Sequence, residues 1–142
     1  MFWIALSAAL IAVDLISKKT FTKRKDLKWI LIRPTKNYGL IYNQLDDRPL
    51  VPKILTGCIT ILLLIVLLPI FLTARYSRLF RTACSFLAGG AVGNTGERLM
   101  KGSVSDFLQF RKKPFSKLIF NLADVWLVVG GMLMVVEACR KQ

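Results

Sequence analysis

The chain has 142 residues, is 54% hydrophobic and carries 21 Lys and Arg against 8 Asp and Glu, for a net charge of +13. Its length fits one domain, and its mean hydropathy of +0.51 excludes an ordinary soluble protein and indicates a polytopic membrane protein. Basic residues beside apolar helices commonly meet anionic lipid head groups, so we expect no nucleic-acid partner. The sequence has no His, which excludes Ser/His and Cys/His catalysis. Its cysteines lack the spacing of metal ligands, so we expect no metal and no cofactor.

The apolar segments predict four transmembrane helices with short loops, in one domain over residues 1–142. A bilayer core of ~30 Å needs about 20 mostly apolar residues to cross it. We place the helices at about 1–17, 54–72, 79–97 and 122–138. In the third, Gly89 and Gly93 form a G-x-x-x-G pattern, which predicts the close approach of another helix.

The first segment begins Met-Phe-Trp, without the basic residues that open a secretory signal, so it is interpreted as a retained helix. Asp14 is unusual in it, because an ionised carboxylate inside a bilayer is costly and should face protein or water. Lys18, four residues later, lies on the same helix face. The two form either an ion pair at the helix end or part of a functional site. The polar, basic stretch that follows includes Trp29–Ile32, which predicts a short strand.

A dense polar stretch begins near the end of the third helix. Asn94 and Arg98 are four residues apart and share a helix face. Asp106 follows in what reads as a loop, and a basic connection leads to Asn121 and Asp124 at the start of the last apolar run. Asn121 and Asp124 alone would be typical of a helix N-cap and an acid in the first turn. The arrangement lets Asp106 and Asp124 meet at one membrane edge.

These residues resemble a known family. The patterns G-G-A-V-G-N-x-x-E-R-x-x-x-G-x-V-x-D-F and F-N-x-A-D are similar to the two signature blocks of lipoprotein signal peptidase (signal peptidase II), an aspartic protease of the bacterial inner membrane. Two weaker similarities lie upstream, the D-x-x-x-K of Asp14 and Lys18 and the block that contains Asn37 and Gly39. In that block Leu40, Ile41 and Tyr42 depart from the family pattern.

The resemblance implies an all-α membrane protein with four transmembrane helices and a small extracytoplasmic β-cradle between helices 1 and 2. It also implies a role for each matching residue. Asp106 and Asp124 match the catalytic pair. The residues that match the lining of the site and orient it or the substrate are Asn94, Arg98, Asn121, Asn37, Gly39, Asp14 and Lys18. Glu97 stands where the family usually has Asp. The resemblance implies that it holds the site residues in position without taking part in the reaction.

The implied activity is cleavage of prolipoprotein signal peptides on the N-terminal side of the diacylglyceryl-cysteine. Its implied partners are diacylglyceryl-modified prolipoproteins, membrane phospholipids and globomycin-type inhibitors. Two carboxylates held close together cannot both stay ionised, so one can act as base on a water molecule while the other donates a proton. The residues alone leave two alternatives open: a small transporter or channel component that uses intramembrane carboxylates, or a catalytically silent member of the family.

Charge and resemblance disagree about orientation. Most of the Lys and Arg residues lie in the first and third connections, which the positive-inside rule places in the cytoplasm. The family places these connections outside. We follow the family and expect a multi-pass protein of the bacterial cell membrane, with its active site near the extracytoplasmic face.

Overall fold

The computed structural model describes residues 1–39, 47–48 and 50–140. Within these ranges the chain forms four α-helices and one four-stranded antiparallel sheet. In chain order the elements are α1 (Phe2–Thr20), β1 (Lys25–Asp26), β2 (Ile30–Asn37), α2 (Leu50–Leu72), α3 (Arg78–Lys101), β3 (Val104–Phe110), a 3₁₀ turn (Phe115–Lys117), β4 (Ile119–Phe120) and α4 (Leu122–Cys139).

The helix ends follow from local sequence. α2 begins at Leu50, before the predicted residue 54, and has Pro52 in its first turn, where the missing N–H of proline costs no helix hydrogen bond. The Ser77 hydroxyl accepts a hydrogen bond from the Phe80 N–H at 3.0 Å and caps the start of α3. α3 runs past the predicted residue 97 to Lys101, where Gly102 ends it with a φ of 75°.

Two of the helices, α2 and α4, are long and apolar enough to cross a membrane by length and composition alone, with mean hydropathies of 2.9 and 1.9. α1 and α3 carry more polar residues. The most polar of these turn inward: Asp14 of α1 is fully buried, and Glu97 and Arg98 of α3 are 3% and 6% exposed. The outward face of α1 is largely apolar, with residues such as Val13 and Ile16 exposed.

α3 is the central helix and packs against the other three. Its glycines permit this close packing. A Cβ on Gly89 would lie 2.9 Å from the Leu10 Cβ of α1, and one on Gly90 would lie 2.5 Å from the Ala123 carbonyl oxygen of α4. The G-x-x-x-G pattern therefore marks the α1 contact, with Gly93 next to Asp14. A hydrogen bond between the Thr60 and Thr95 hydroxyls, at 2.7 Å, links α2 to α3.

The sheet is larger than the sequence predicts. Its strand order is β1-β2-β3-β4, so two strands come from between α1 and α2 and two from between α3 and α4. The expectation of a helical protein with a small sheet is confirmed. The sheet combines strands from both connections, whereas the expected cradle lay between helices 1 and 2. Asp106 accordingly lies on a strand, opposite Thr35 of β2, and not in a loop. Leu40, Ile41 and Tyr42 lie outside the described residues.

Candidate active site

Asn121 links the two predicted catalytic carboxylates. Its Nδ2 donates a hydrogen bond to Asp106 Oδ1 at 2.6 Å, and its Oδ1 accepts one from the Asp124 N–H at 3.0 Å. In return the Asn121 N–H donates to Asp124 Oδ2 at 3.0 Å, which completes a capping box at the start of α4. Asn121 is fully buried. The end of the sheet and the start of α4 therefore bring Asp106 and Asp124 to either side of one side chain.

Asn94 of α3 holds the other oxygen of Asp124. Its Nδ2 donates to Asp124 Oδ1 at 2.8 Å, while its Oδ1 accepts a hydrogen bond from Lys18 Nζ at 2.9 Å. Both Asp124 oxygens thus have a donor, one from α3 and one from the backbone of α4 itself. The carboxylate is fixed in direction before any substrate binds.

Lys18 lies among buried acids from two helices. Its Nζ is 2.7 Å from Asp14 Oδ2 and 3.2 Å from Glu97 Oε2, and its side chain is 3% exposed. Asp14 Oδ1 accepts a hydrogen bond from the Ala123 N–H at 3.0 Å, which ties α1 to the first turn of α4. The Asp14–Lys18 pair is therefore an ion pair and also a part of the polar cluster around the carboxylates.

Glu97 contacts Ser105 and two lysines. Its carboxylate accepts hydrogen bonds from the Ser105 hydroxyl at 2.7 Å and the Ser105 N–H at 3.1 Å, and Lys101 lies 3.0 Å from it. Ser105 directly precedes Asp106, so Glu97 fixes the start of β3 relative to α3. Sequence reasoning did not identify Ser105, because a single serine beside a motif carries no signal of its own.

Asn37 and Arg98 approach the site from the sheet and from α3. Asn37 Nδ2 donates to Asp106 Oδ2 at 3.2 Å, so that both Asp106 oxygens are held by amides. Arg98 donates to the Gly39 carbonyl oxygen at 2.6 Å. Its positive charge also interacts with those of Asp106 and Asp124. Arg98 therefore holds the Gly39 backbone, two residues beyond the end of β2.

The pKa of Asp106 is raised from its ordinary value of 3.8 to about 6, chiefly because the group is buried and secondly because the charge of Asp124 is nearby. The hydrogen bonds from Asn121 and Asn37 and the charge of Lys18 act in the opposite direction. A carboxyl with a raised pKa can keep its proton next to an ionised carboxylate. Two such groups can therefore share one proton.

A cavity of about 360 Å³ opens onto Asp106. It lies between the end of α1 and the two central strands, with Phe21 and Phe107 stacked at a centroid distance of 5.0 Å. Its lining residues are Lys18, Phe21, Thr22, Pro34, Thr35, Lys36, Ser105, Asp106 and Phe107. The cavity is large enough for water and for part of an extended chain to reach the carboxylate. Among the described residues no group of three or more His, Cys, Asp or Glu side chains is arranged to hold a metal ion.

Comparison with known proteins identifies the family of the chain. The sequence pattern of the family described as signal peptidase (SPase) II matches residues 6–140. A lipoprotein signal peptidase of Chromobacterium violaceum is 33% identical, over 98% of this chain and 91% of its own length. One from Haemophilus ducreyi is 30% identical, over 95% and 89%.

Solved structures share the fold. A bacterial membrane enzyme determined by the in meso method at 2.3 Å resolution superposes with a TM-score of 0.83 and 24% identity, over 98% of this chain and 88% of that one. A second, at 1.9 Å, gives a TM-score of 0.83 with 23% identity, over 99% and 94%. These structures show the fold. The family pattern over nearly the whole sequence, together with relatives of 33% and 30% identity, shows that the chain belongs to the signal peptidase II family.

Proposed function

We propose that this protein is an intramembrane aspartic endopeptidase that removes signal peptides from prolipoproteins, cutting on the N-terminal side of the diacylglyceryl-cysteine. Membership of the family supports prolipoprotein signal-peptide cleavage. The observation that carries the aspartic mechanism is the position of Asn121, which contacts Asp106 with its side chain and Asp124 with both its side chain and its backbone.

In the proposed reaction Asp106 and Asp124 share one proton. The ionised carboxylate takes a proton from a water molecule as that water attacks the scissile carbonyl carbon. The protonated carboxyl donates its hydrogen to the carbonyl oxygen as negative charge develops there, and a proton then passes to the leaving amine. The cavity beside Asp106 provides space for the water and for the peptide.

The remaining polar residues would orient the pair or the substrate. Asn121, Asn94 and Asn37 each donate an amide hydrogen to one of the carboxylates, which sets the direction of the reacting oxygens. Asp14, Lys18 and Glu97 hold α1, α3 and β3 together behind them. Arg98 donates a hydrogen bond to the Gly39 carbonyl oxygen and would position this backbone at the end of β2.

The protein would work inside a membrane. All four helices would span the bacterial inner membrane, because the polar residues of α1 and α3 are buried inside the bundle and leave apolar surface outside. The sheet and the carboxylates would then lie at the extracytoplasmic face. A diacylglyceryl-modified substrate could reach them laterally from the lipid, and phospholipids and globomycin-type inhibitors would be further ligands.

The test is cleavage of a diacylglyceryl-modified prolipoprotein by the purified protein in lipid nanodiscs, with the cut site read by mass spectrometry. D106N and D124N should each abolish turnover, and the double variant should lose little more, because residues that act as one unit are strongly non-additive. Asp47→Asn, an exposed acid outside the cluster, is the matched control. Sustained turnover in either single variant would refute the aspartic mechanism, and cleavage of an unlipidated substrate at the same rate would refute the substrate assignment.

A further inference from the structure

The end of the sheet farthest from the carboxylates carries an exposed aromatic and basic surface, here called the sheet tip. It consists of Trp29, Phe110, Phe115, Lys28 and Lys112, and Phe120 of β4 packs against its phenylalanines from the side nearer the carboxylates. Trp29 is 57% exposed and Phe115 is 52% exposed. Phe110 lies four residues beyond Asp106 on β3, roughly 13 Å along the strand. The tip is therefore a separate surface from the candidate active site.

Two turns of the sheet, the one before β2 and the one after β3, are held together at the sheet tip. The Arg111 N–H donates to the Trp29 carbonyl oxygen at 3.2 Å, which ties the turn after β3 to the turn before β2. The Lys112 Nζ lies 4.7 Å from the centre of the Trp29 ring, and the Lys28 Nζ lies 5.6 Å from it. On the other side the rings of Phe110, Phe115 and Phe120 contact one another edge to face at about 6 Å.

The charge of this region is strongly positive. Further Lys and Arg residues surround the tip. The acid Asp26 lies in the same region, 2.6 Å from Arg33 and 3.8 Å from Arg111. The remaining cations, which include Lys23, Lys25, Lys113 and Lys117, face solvent. Exposed Trp and Phe side chains beside Lys residues are typical of the head-group region of a bilayer, where the ring is partly buried and the ammonium remains near phosphate.

We propose that the sheet tip docks onto the surface of the membrane and binds anionic phospholipid head groups, with Trp29 and Phe115 entering the interface. The partner is an anionic lipid surface because the patch combines exposed rings with a positive field, and because β3 and β4 join the tip directly to α3 and α4. Docking would hold the sheet over the end of the helix bundle. The inference requires the membrane embedding proposed above, but it does not depend on peptidase activity.

The test measures the tryptophan fluorescence of the full chain in nanodiscs of phosphatidylcholine alone or with phosphatidylglycerol added. Subtracting the spectrum of the W29F variant isolates the emission of Trp29. We expect brominated lipid to quench this emission, and more strongly when phosphatidylglycerol is present. Each cation near an anionic surface contributes about 1 kcal/mol to binding. The K28Q/K112Q variant removes two of them, so the ratio of docked to undocked protein should fall roughly 30-fold.

The control is K19Q/R75Q, which removes the same charge from exposed positions away from the tip, and thermal melting confirms that each variant is folded. Two results would overturn the proposal. The first is Trp29 emission that is quenched by aqueous iodide and not by brominated lipid in either nanodisc. The second is quenching by brominated lipid that is equal in both compositions and unchanged in K28Q/K112Q, because aromatic burial alone would then hold the tip.

Discussion

Lys18 fixes the orientation of Asn94. Because the Lys18 ammonium donates to Asn94 Oδ1 at 2.9 Å, the amide nitrogen of Asn94 must point the other way, toward Asp124 Oδ1 at 2.8 Å. A lysine on α1 thus determines which face of an asparagine on α3 meets a carboxylate on α4. The same ammonium forms ion pairs with Asp14 and Glu97, so its removal affects both the stability and the geometry of the site.

Lys18→Met should destabilise the protein and lower its rate of prolipoprotein cleavage. The substitution leaves Asp14 buried without its ion-pair partner, whereas Glu97 keeps Lys101. Breaking a buried ion pair from one side costs roughly 3–5 kcal/mol. Thermal melting in detergent measures the first effect and the cleavage assay the second. Lys19→Met, at an exposed neighbouring position, is the control and should change neither. Equal melting temperatures for the two variants would contradict this account of Lys18.

The raised pKa of Asp106 makes stability depend on pH. Because the folded protein binds the proton up to a pKa of about 6 and the unfolded chain only up to about 3.8, the contribution of this group to stability is fully present below pH 3.8. It is lost as pH rises through 6. The wild type should therefore lose stability between these values relative to D106N, by up to about 3 kcal/mol.

Melting temperatures of the wild type and D106N across pH 4 to 7 check this prediction. Asp124→Asn provides a second comparison, since removal of the neighbouring charge should lower the pKa of Asp106 and move the transition to lower pH. A wild-type curve that runs parallel to that of D106N would show that Asp106 titrates at its ordinary value.

Both the length and the charge of the Glu97 side chain should affect the rate of cleavage. Its carboxylate spans from Lys18 to Ser105, so Glu97→Ala should release the start of β3 and lower cleavage without abolishing it. Glu97→Asp keeps the charge and should retain more activity than Glu97→Ala. Ser105→Ala removes one hydrogen bond and should have the smallest effect. Turnover numbers that rank in another order would show that Glu97 acts otherwise than by holding β3.

Gly90 sets the distance between α3 and α4. A methyl group there would meet the Ala123 carbonyl oxygen and the Leu127 side chain, whereas one on Gly96 would have no atom within 4 Å. Gly90→Ala should cost roughly 1–3 kcal/mol and lower activity, because the displaced Ala123 adjoins Asp124. Gly96→Ala should be neutral or stabilising, since alanine favours a helix. Melting and cleavage measurements on this matched pair test the helix contact, and similar losses in both variants would argue against it.

Labelling can determine the orientation of the chain. Cys84 is fully buried, so a background with Cys58 and Cys139 replaced by Ala leaves no exposed thiol among the described residues. A cysteine introduced at Lys112 should react with a membrane-impermeant maleimide in intact spheroplasts, and one at Arg75 only after lysis. The reverse pattern would support the positive-inside assignment and place the carboxylates at the cytoplasmic face.

The sequence predicts the helices and the polar site better than the sheet. Helix positions follow from long apolar runs, and Asn94, Arg98, Asp106, Asn121 and Asp124 stand in a recognisable order. The pairing of Thr35 with Asp106 joins segments far apart in the chain, and no local pattern specifies such a register. The sequence also does not delimit β2, because Pro34 lies inside this strand, where the register shifts between Ile32 and Thr35.

The capping box of α4 also links local folding to the assembly of the site. Asn121 cannot leave its cap without releasing Asp106, so fraying of the first turn of α4 would dismantle the carboxylate pair in the same event. The Asp124 N–H, which is bonded to Asn121 Oδ1, is then a reporter of the intact site. Its rate of hydrogen–deuterium exchange would measure how often the pair comes apart in the folded protein.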